Sequence, residues 1–360
     1  MPKIRVLVVE DSLTVRKRLI EVIASDPELE MVGEGENGQQ AIELCQALRP
    51  DVITLDMHLP IMDGVSATEH IMGHFPTPIL IVSSSTNRGD LFKTYDALAA
   101  GAVDVLEKPL ADAVDGAWER RFLAAVKLVS RIRVITHIRA RLGSVGRPAA
   151  PRTDVLMPSS PLPTTRNADG YSVIALGAST GGPGALVDVL RGIPVGLPAT
   201  MLVVLHIDEP FSSAFAEWLS NQTSHPVIYA RGGEPLSEGR GRVYMAPPGR
   251  HLAASFGKLW LSSAPERHSC RPSVDVMFET LARDCARDVV ACLLTGMGKD
   301  GADGLLALRR AGAHTIAQDE ATSVIYGMPR EAALLGAAER ILPLGEIGAA
   351  ITRVAAKGGR

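Results

Sequence analysis

Apolar residues in the first third of the chain follow two rhythms. Short, nearly continuous runs occur at 4–9, 51–55, 78–82 and 102–106, with a weaker one at 31–33. Between them, segments such as 13–24 and 39–48 carry apolar residues at helical spacing. Runs that do not alternate read as strands buried on both faces. With helices between them, they predict a parallel sheet covered on each side. The expected first unit is a small doubly wound α/β domain over residues 1–125. A helical pattern continues over about 113–142, with seven Lys and Arg between Arg120 and Arg141. Such a stripe suits a solvated helix face or, alternatively, an acidic partner.

The pattern breaks over 143–169, where Pro, Ser, Gly and Thr dominate and large apolar residues are few. Proline stiffens such a segment and its composition cannot build a core, so 126–168 is expected to be a helical extension and linker. From Tyr171 the strand-like runs return, at 172–176, 200–205, 227–230, 242–245, 258–261, 289–294 and 314–317. These predict a second α/β domain with a parallel sheet, over 169–356. No internal repeat relates the two halves.

Composition narrows the classes. Hydrophobic residues are 46% and charged residues 21%, ordinary for globular proteins. Aromatics are only 4%, so the cores must be aliphatic. A net charge of −3 argues against coating nucleic acid or an anionic membrane. No apolar run approaches the roughly 18 residues that a membrane span requires. The opening MPKIRVLVVEDS reads as a strand followed by acids, unlike a secretion signal. Cys45, Cys270, Cys285 and Cys292 show no C-x-x-C spacing. They are expected to be reduced, mostly buried thiols of a cytoplasmic protein, with no zinc site or disulfide framework.

In a parallel sheet, functional groups gather at the carboxyl ends of strands. Glu10 and Asp11 follow the first run, Asp56 the third, Ser83 and Ser84 the fourth, and Lys108 the fifth. Taken singly, an acid after a strand is a helix cap, and Asp11-Ser12 before Leu13 fits that role. Taken together, clustered carboxylates repel unless a cation sits among them, and oxygen ligands around an open site suit Mg2+. A carboxylate there can accept a phosphoryl group whose oxygens Lys108 and Ser83 would bind.

The segments VLVVEDS, ITLDMHLPIMDG, ILIVSSS and LEKP resemble the receiver domain of two-component response regulators. The resemblance covers about residues 1–125 and implies a flavodoxin-like fold. It implies phosphorylation at Asp56 by a histidine kinase. It also implies Mg2+ held by Asp11, Asp56 and the backbone carbonyl of His58, with Glu10 helping. Two positions depart from the common pattern: Glu10, often Asp, and Val105, often Tyr or Phe.

In the second domain, the run 172–176 leads into Gly177-Ala178-Ser179-Thr180-Gly181-Gly182. Gly177, Ser179 and Gly181 satisfy G-x-S-x-G. That turn projects a serine hydroxyl from the sheet edge, next to helix-start N–H groups. The plainer alternatives are a phosphate-binding turn or a capping serine. A hydroxyl nucleophile needs a base. His206 directly follows the run 200–205 and so falls at the same edge, whereas His314 begins its strand at the opposite edge. A third strand ends in Leu294-Thr295-Gly296-Met297-Gly298-Lys299-Asp300-Gly301. An acid there could orient a histidine. The same glycines also match G-x-G-x-x-G, with Asp319 about 20 residues on, the fingerprint of a dinucleotide site.

The segments ALGASTGGPGAL, VVLHIDEPFSSAFAEWL, YMAPPGRHL, RPSVDVMF, LLTGMGKDGADGL and AQDEATSVIYGMPREA resemble the catalytic domain of the CheB-type chemotaxis methylesterases. They span about 172–345 in a Rossmann-like α/β domain, and the receiver-first pairing is that family's architecture. The resemblance implies hydrolysis of glutamate methyl esters on methylated chemoreceptors, and deamidation of particular glutamines, without a cofactor for hydrolysis. It implies Ser179 as nucleophile, His206 as base and Asp300 as orienting acid, with N–H groups of Met297 and Thr180 binding the oxyanion. Where the family often reads His-Met-Pro, this chain reads His206-Ile207-Asp208. Two other classes remain at this point: a receiver-controlled transcription factor, for which no helix-turn-helix pattern follows the linker, and a dinucleotide-dependent enzyme. A methylesterase fold that only binds receptors is a third.

Overall fold

The structure is a computed structural model, and it describes residues 2–84, 87–109, 116–132, 134 and 172–358. The expected alternation appears in the first unit: β1 (Ile4–Val9), α1 (Leu13–Ala24), β2 (Leu29–Gly35), α2 (Gly38–Leu48), β3 (Val52–Leu55), α3 (Gly64–His74), β4 (Ile79–Ser83), α4 (Arg88–Ala99), β5 (Asp104–Glu107) and α5 (Ala117–Val129). Its five strands are parallel, in the order β2-β1-β3-β4-β5. That is the flavodoxin-like order, with its switch point between β1 and β3. β3 and β4 are buried throughout, which is why no polar alternation marks them.

α5 ends at Val129, within the helix expected over 113–142, of which residues 113–115, 133 and 135–142 lie outside the described residues. Phe122, Val126 and Val129 are buried against Val6, Val8 and Leu80, so its last turn belongs to the core of the first sheet. Most of the expected linker lies outside the described residues.

The second unit begins with β6 (Ser172–Ala178), α6 (Gly182–Arg191), β7 (Ala199–Leu205), α7 (Phe215–Thr223), β8 (Val227–Tyr229) and β9 (Val243–Met245). A hairpin of β10 (His251–Ser255) and β11 (Lys258–Ser262) follows, antiparallel and apart from the main sheet. Then come α8 (Val274–Asp284), β12 (Val289–Leu293), α9 (Ala302–Arg310), β13 (His314–Gln318), α10 (Met328–Leu334), β14 (Arg340–Leu342) and α11 (Leu344–Gly358). The main sheet has seven parallel strands in the order β14-β13-β12-β6-β7-β9-β8. β6 thus sits between β7 and β12, and strand order reverses between β12 and β6. A crevice opens at such a point, at the carboxyl ends of the strands.

The two units pack through α4. Leu91, Tyr95 and Leu98 share one continuous apolar cluster with Phe211, Phe215, Trp218 and Leu219. The Tyr95 ring meets Phe215 edge-on at 5.1 Å and Trp218 at 5.5 Å. Tyr95 donates its hydroxyl to the Phe211 carbonyl at 2.6 Å, and Trp218 Nε1 donates to Asp96 Oδ1 at 2.7 Å. Buried aromatic pairs of this kind contribute about 0.5–1.5 kcal/mol each beyond the area they bury. Few aromatics exist in this chain, and several of them are spent here.

Candidate active site and acidic pocket

Three adjacent strands, β12, β6 and β7, deliver three side chains to one edge. β6 ends at Ala178, and Ser179 follows on a turn held by its own N–H donating to Thr295 O at 3.0 Å. Gly182 N–H donates back to Ser179 O at 2.7 Å. Gly181 closes the turn at φ 77°, a left-handed conformation that a side chain would strain, and a Cβ there would lie 2.6 Å from Val324. β7 ends at Leu205, and His206 N–H donates to Ala178 O at 3.0 Å, which registers the histidine beside the serine turn. The loop after β12 supplies Asp300.

His206 Nε2 hydrogen-bonds Asp300 Oδ2 at 2.9 Å. Asp300 is buried and takes three further hydrogen bonds: from Ser273 Oγ at 2.7 Å, from Val274 N–H at 2.7 Å and from Asp275 N–H at 3.2 Å. Ser273 caps α8, so the helix start fixes the carboxylate. Burial alone would raise the pKa of Asp300, but the bonds from His206 and Ser273 hold it below the usual carboxylate range.

The other ring nitrogen, Nδ1, faces Cys270, whose Sγ is 3.7 Å away. Among the described residues no hydrogen bond joins the Ser179 hydroxyl to His206, although both line the same cavity of about 580 Å3. Burial disfavours the charged imidazole, but Asp300 and Cys270 outweigh it and push the His206 pKa up to about 9. Sequence patterns identified Cys270 only as one of four thiols. It lies directly before the RPSVDVMF segment, and nothing in its spacing places it beside a histidine 64 residues away.

Thr180 and Met297, expected as oxyanion donors, flank Ser179 on two loops. Thr180 O accepts from Thr295 Oγ1 at 3.0 Å, and Met297 is 37% exposed at the rim. Two glycines of the G-x-G-x-x-G match, Gly296 and Gly301, pack closely against the chain itself. A Cβ on Gly296 would lie 2.3 Å from Met328 Sδ and 2.7 Å from Ser179 Cβ, and one on Gly301 would lie 2.6 Å from Leu293. Asp319 closes a local turn with Thr322. Gly298 faces open space, but with Gly296 and Gly301 taken up by packing and Asp319 engaged locally, the motif no longer favours the dinucleotide reading.

The far wall of the cavity comes from the first unit. Val105 on β5 and Arg121 on α5 face Ser179 and His206 across it. Arg121 Nη2 pairs with Asp208 Oδ2 at 2.7 Å, two residues beyond the histidine. The departure at Asp208 therefore serves the junction between units. Both partners are largely exposed, so this pair adds about 0–1 kcal/mol and can open readily.

The acids of the first sheet also converge. Glu10 and Asp56 are buried, and Asp11 stands exposed at the rim. One carboxylate oxygen from each lies within 4.8 Å of the others. Lys108 Nζ sits between Glu10 at 2.8 Å and Asp56 at 2.9 Å. Burial, with Asp56 adding to it, pushes the Glu10 pKa up to about 7. One ammonium does not neutralise three carboxylates, and an all-oxygen set on an open rim fits Mg2+. Ser83 is fully buried, and its hydroxyl has no partner among the described residues, leaving a donor free for an incoming group. The His58 ring points elsewhere, pairing with Asp90 at 2.8 Å.

Residues 174–351 match the family described as CheB methylesterase, and residues 6–114 match the one described as response regulator receiver domain. A protein-glutamate methylesterase/protein-glutamine glutaminase 2 of Anaeromyxobacter dehalogenans is 42% identical over 344 residues, covering 96% of this chain and 95% of its own. A protein of the same name from Pseudomonas aeruginosa is 42% identical over 362 residues, covering 99% and 98%. The protein-glutamate methylesterase/protein-glutamine glutaminase of Nitrosospira multiformis is 40% identical over 360 residues, covering 99% and 98%. With one sheet carrying the acidic pocket, another carrying the serine turn, and relatives aligned along nearly their whole length, this chain belongs to the CheB methylesterase family with an N-terminal receiver domain.

Proposed function

We propose that this chain is a phosphorylation-controlled protein-glutamate methylesterase and protein-glutamine glutaminase, with chemoreceptors as substrates and a chemotaxis histidine kinase as phosphodonor. In this reading, residues 1–125 are the receiver, 126–168 an extension and linker, and 169–356 the catalytic domain. The observation that carries it is the placement of Ser179, His206 and Asp300 at the carboxyl ends of three adjacent strands, with His206 bonded to Asp300. No described helix is long and apolar enough to cross a membrane, and the proposed location is the cytoplasm.

Asp300 holds Nε2–H of His206, which leaves the Nδ1 lone pair facing the cavity. Nδ1 takes the Ser179 proton as the hydroxyl oxygen attacks the glutamyl Cδ carbonyl. N–H groups of Met297 and Thr180 receive the oxyanion. His206 returns the proton to the leaving oxygen or nitrogen, and methanol or ammonia departs. Water then attacks the acyl-enzyme by the same route and glutamate is released. Only the leaving group differs between ester and amide.

In the receiver, Asp56 is the phosphoacceptor. Mg2+ would be held by Glu10, Asp11, Asp56 and the His58 carbonyl, and would supply positive charge to the phosphoryl oxygens. Lys108 and the unpartnered Ser83 hydroxyl bind those oxygens. Movement of Lys108 toward the new charge shifts β5, whose Val105 lines the active-site cavity.

The test is release of methanol from a methylated receptor and of ammonia from its glutamine form. Neither product above background would refute the reading. A further outcome concerns pH. The base must be neutral, so kcat/KM is expected to rise as pH passes about 9. In Cys270→Ala the midpoint should fall toward the ordinary histidine range, because the sulfur helps retain the proton. Initial rates across neutral and alkaline pH check this; an unmoved midpoint contradicts it.

A further inference from the structure

Cys270 transfers neither proton nor acyl group in the proposed hydrolysis, yet its sulfur shares a cavity wall with His206. Cys45, Cys285 and Cys292 are buried, whereas Cys270 is partly exposed. Asp300 binds one nitrogen of His206 and is itself fixed by Ser273, Val274 and Asp275. A carboxylate behind a histidine sets the tautomer and presents the other nitrogen, as in the outer shell of metal sites. Zinc binds sulfur at about 2.3 Å and nitrogen at about 2.0 Å; in a tetrahedron these two ligands stand roughly 3.5 Å apart. Cys270 Sγ and His206 Nδ1 are 3.7 Å apart, so an ion between them requires only a small adjustment. Atoms of His206, Cys270 and Asp300 all lie within 4.8 Å of one another.

We propose that His206 Nδ1 and Cys270 Sγ form an inhibitory site for zinc or a similar thiophilic divalent ion, with Asp300 supporting the histidine from behind. The thiol binds as thiolate and releases its proton to solvent. The ion occupies the lone pair that would accept the Ser179 proton, so hydrolysis stops whatever the state of Asp56. This consequence rests on His206 being the base; the binding itself does not. Two other clusters lack the sulfur. Glu10, Asp11 and Asp56 offer only oxygen and suit Mg2+. His268, Asp275 and Asp303 also group together, but Arg267 Nε stands 3.7 Å from Asp275 and opposes a cation there.

The experiment is a Co2+ titration of the intact protein with excess Mg2+ present and a phosphine reductant. A near-ultraviolet sulfur-to-cobalt charge-transfer band is expected, displaced by one equivalent of Zn2+. C270S should abolish the band and weaken Zn2+ beyond the roughly 10–100-fold that outer-shell partners contribute. D300N should keep the band and weaken Zn2+ by about 10–100-fold. H268A and D56N should change neither. In the unaltered protein, Zn2+ should protect Cys270 from alkylation, read by peptide mass, which needs no variant. Absence of the band, its survival in C270S, or unprotected Cys270 overturns the site. Zn2+ bound at one equivalent with methanol release unchanged overturns its inhibitory role.

Discussion

Ser179→Ala should lower methanol release by roughly 10⁴–10⁶-fold while leaving the fold in place. The hydroxyl oxygen of Ser179 is the proposed attacking atom, and alanine removes it. The turn that positions Ser179 is built from backbone groups: its N–H to Thr295 O, and Gly182 N–H to its own carbonyl. Both survive in alanine, so the melting temperature should move little. The check is initial-rate methanol release from methylated receptor, with circular dichroism alongside. A variant keeping more than about a tenth of the wild-type rate would show that another group is the nucleophile.

Asp300→Asn should cost roughly 10²–10⁴ in kcat with a smaller change in KM. The carboxylate accepts on both oxygens: His206 and Val274 N–H on one, Ser273 and Asp275 N–H on the other. An amide has only one oxygen. Whichever way it turns, its NH2 faces a buried backbone donor, which costs about 1–3 kcal/mol of stability. If the oxygen turns away from His206, the ring loses the acceptor that fixes its tautomer, and Nδ1 can no longer serve as base. Separate measurement of kcat and KM, with a thermal melt, checks both effects. A pure rise in KM at unchanged kcat would make Asp300 a binding residue.

Much of this was legible in the sequence because the sheets are parallel and buried. Continuous apolar runs marked β1, β3, β4, β5, β6, β7, β12 and β13, and the residues that follow these runs fell at the functional edge. Glu10, Asp56, Lys108, Ser179, His206 and Asp300 were found that way. β14 escaped because only three residues pair and two of them are exposed. β10 escaped because His251 and small residues break its apolar run, while its packing comes from α8 rather than from the main sheet. Triad logic could not say which histidine nitrogen meets Asp300, since that is set by where the β12 loop passes the ring.

The junction was the least legible feature. It depends on Tyr95 meeting Phe211 and Trp218, more than a hundred positions away, and no local pattern encodes such a meeting. Val105 replaces the aromatic common at that position and is buried in the wall of the shared cavity. The aromatic at this junction is Tyr95 on α4. Asp208, which reads in sequence as a departure beside the base, pairs with Arg121. That pair is weak and exposed, so it is the part of the junction that a local charge at Asp56 can most readily open, while the buried apolar packing of α4 holds the units together.

The most direct test of control by the first domain is methanol release by the intact protein before and after a small phosphodonor with Mg2+. Wild type should accelerate at least several-fold, Asp56→Asn should not respond, and Arg121→Ala should start faster without phosphodonor. No acceleration in wild type, or an equal acceleration in Asp56→Asn, would mean that the receiver does not govern access to Ser179.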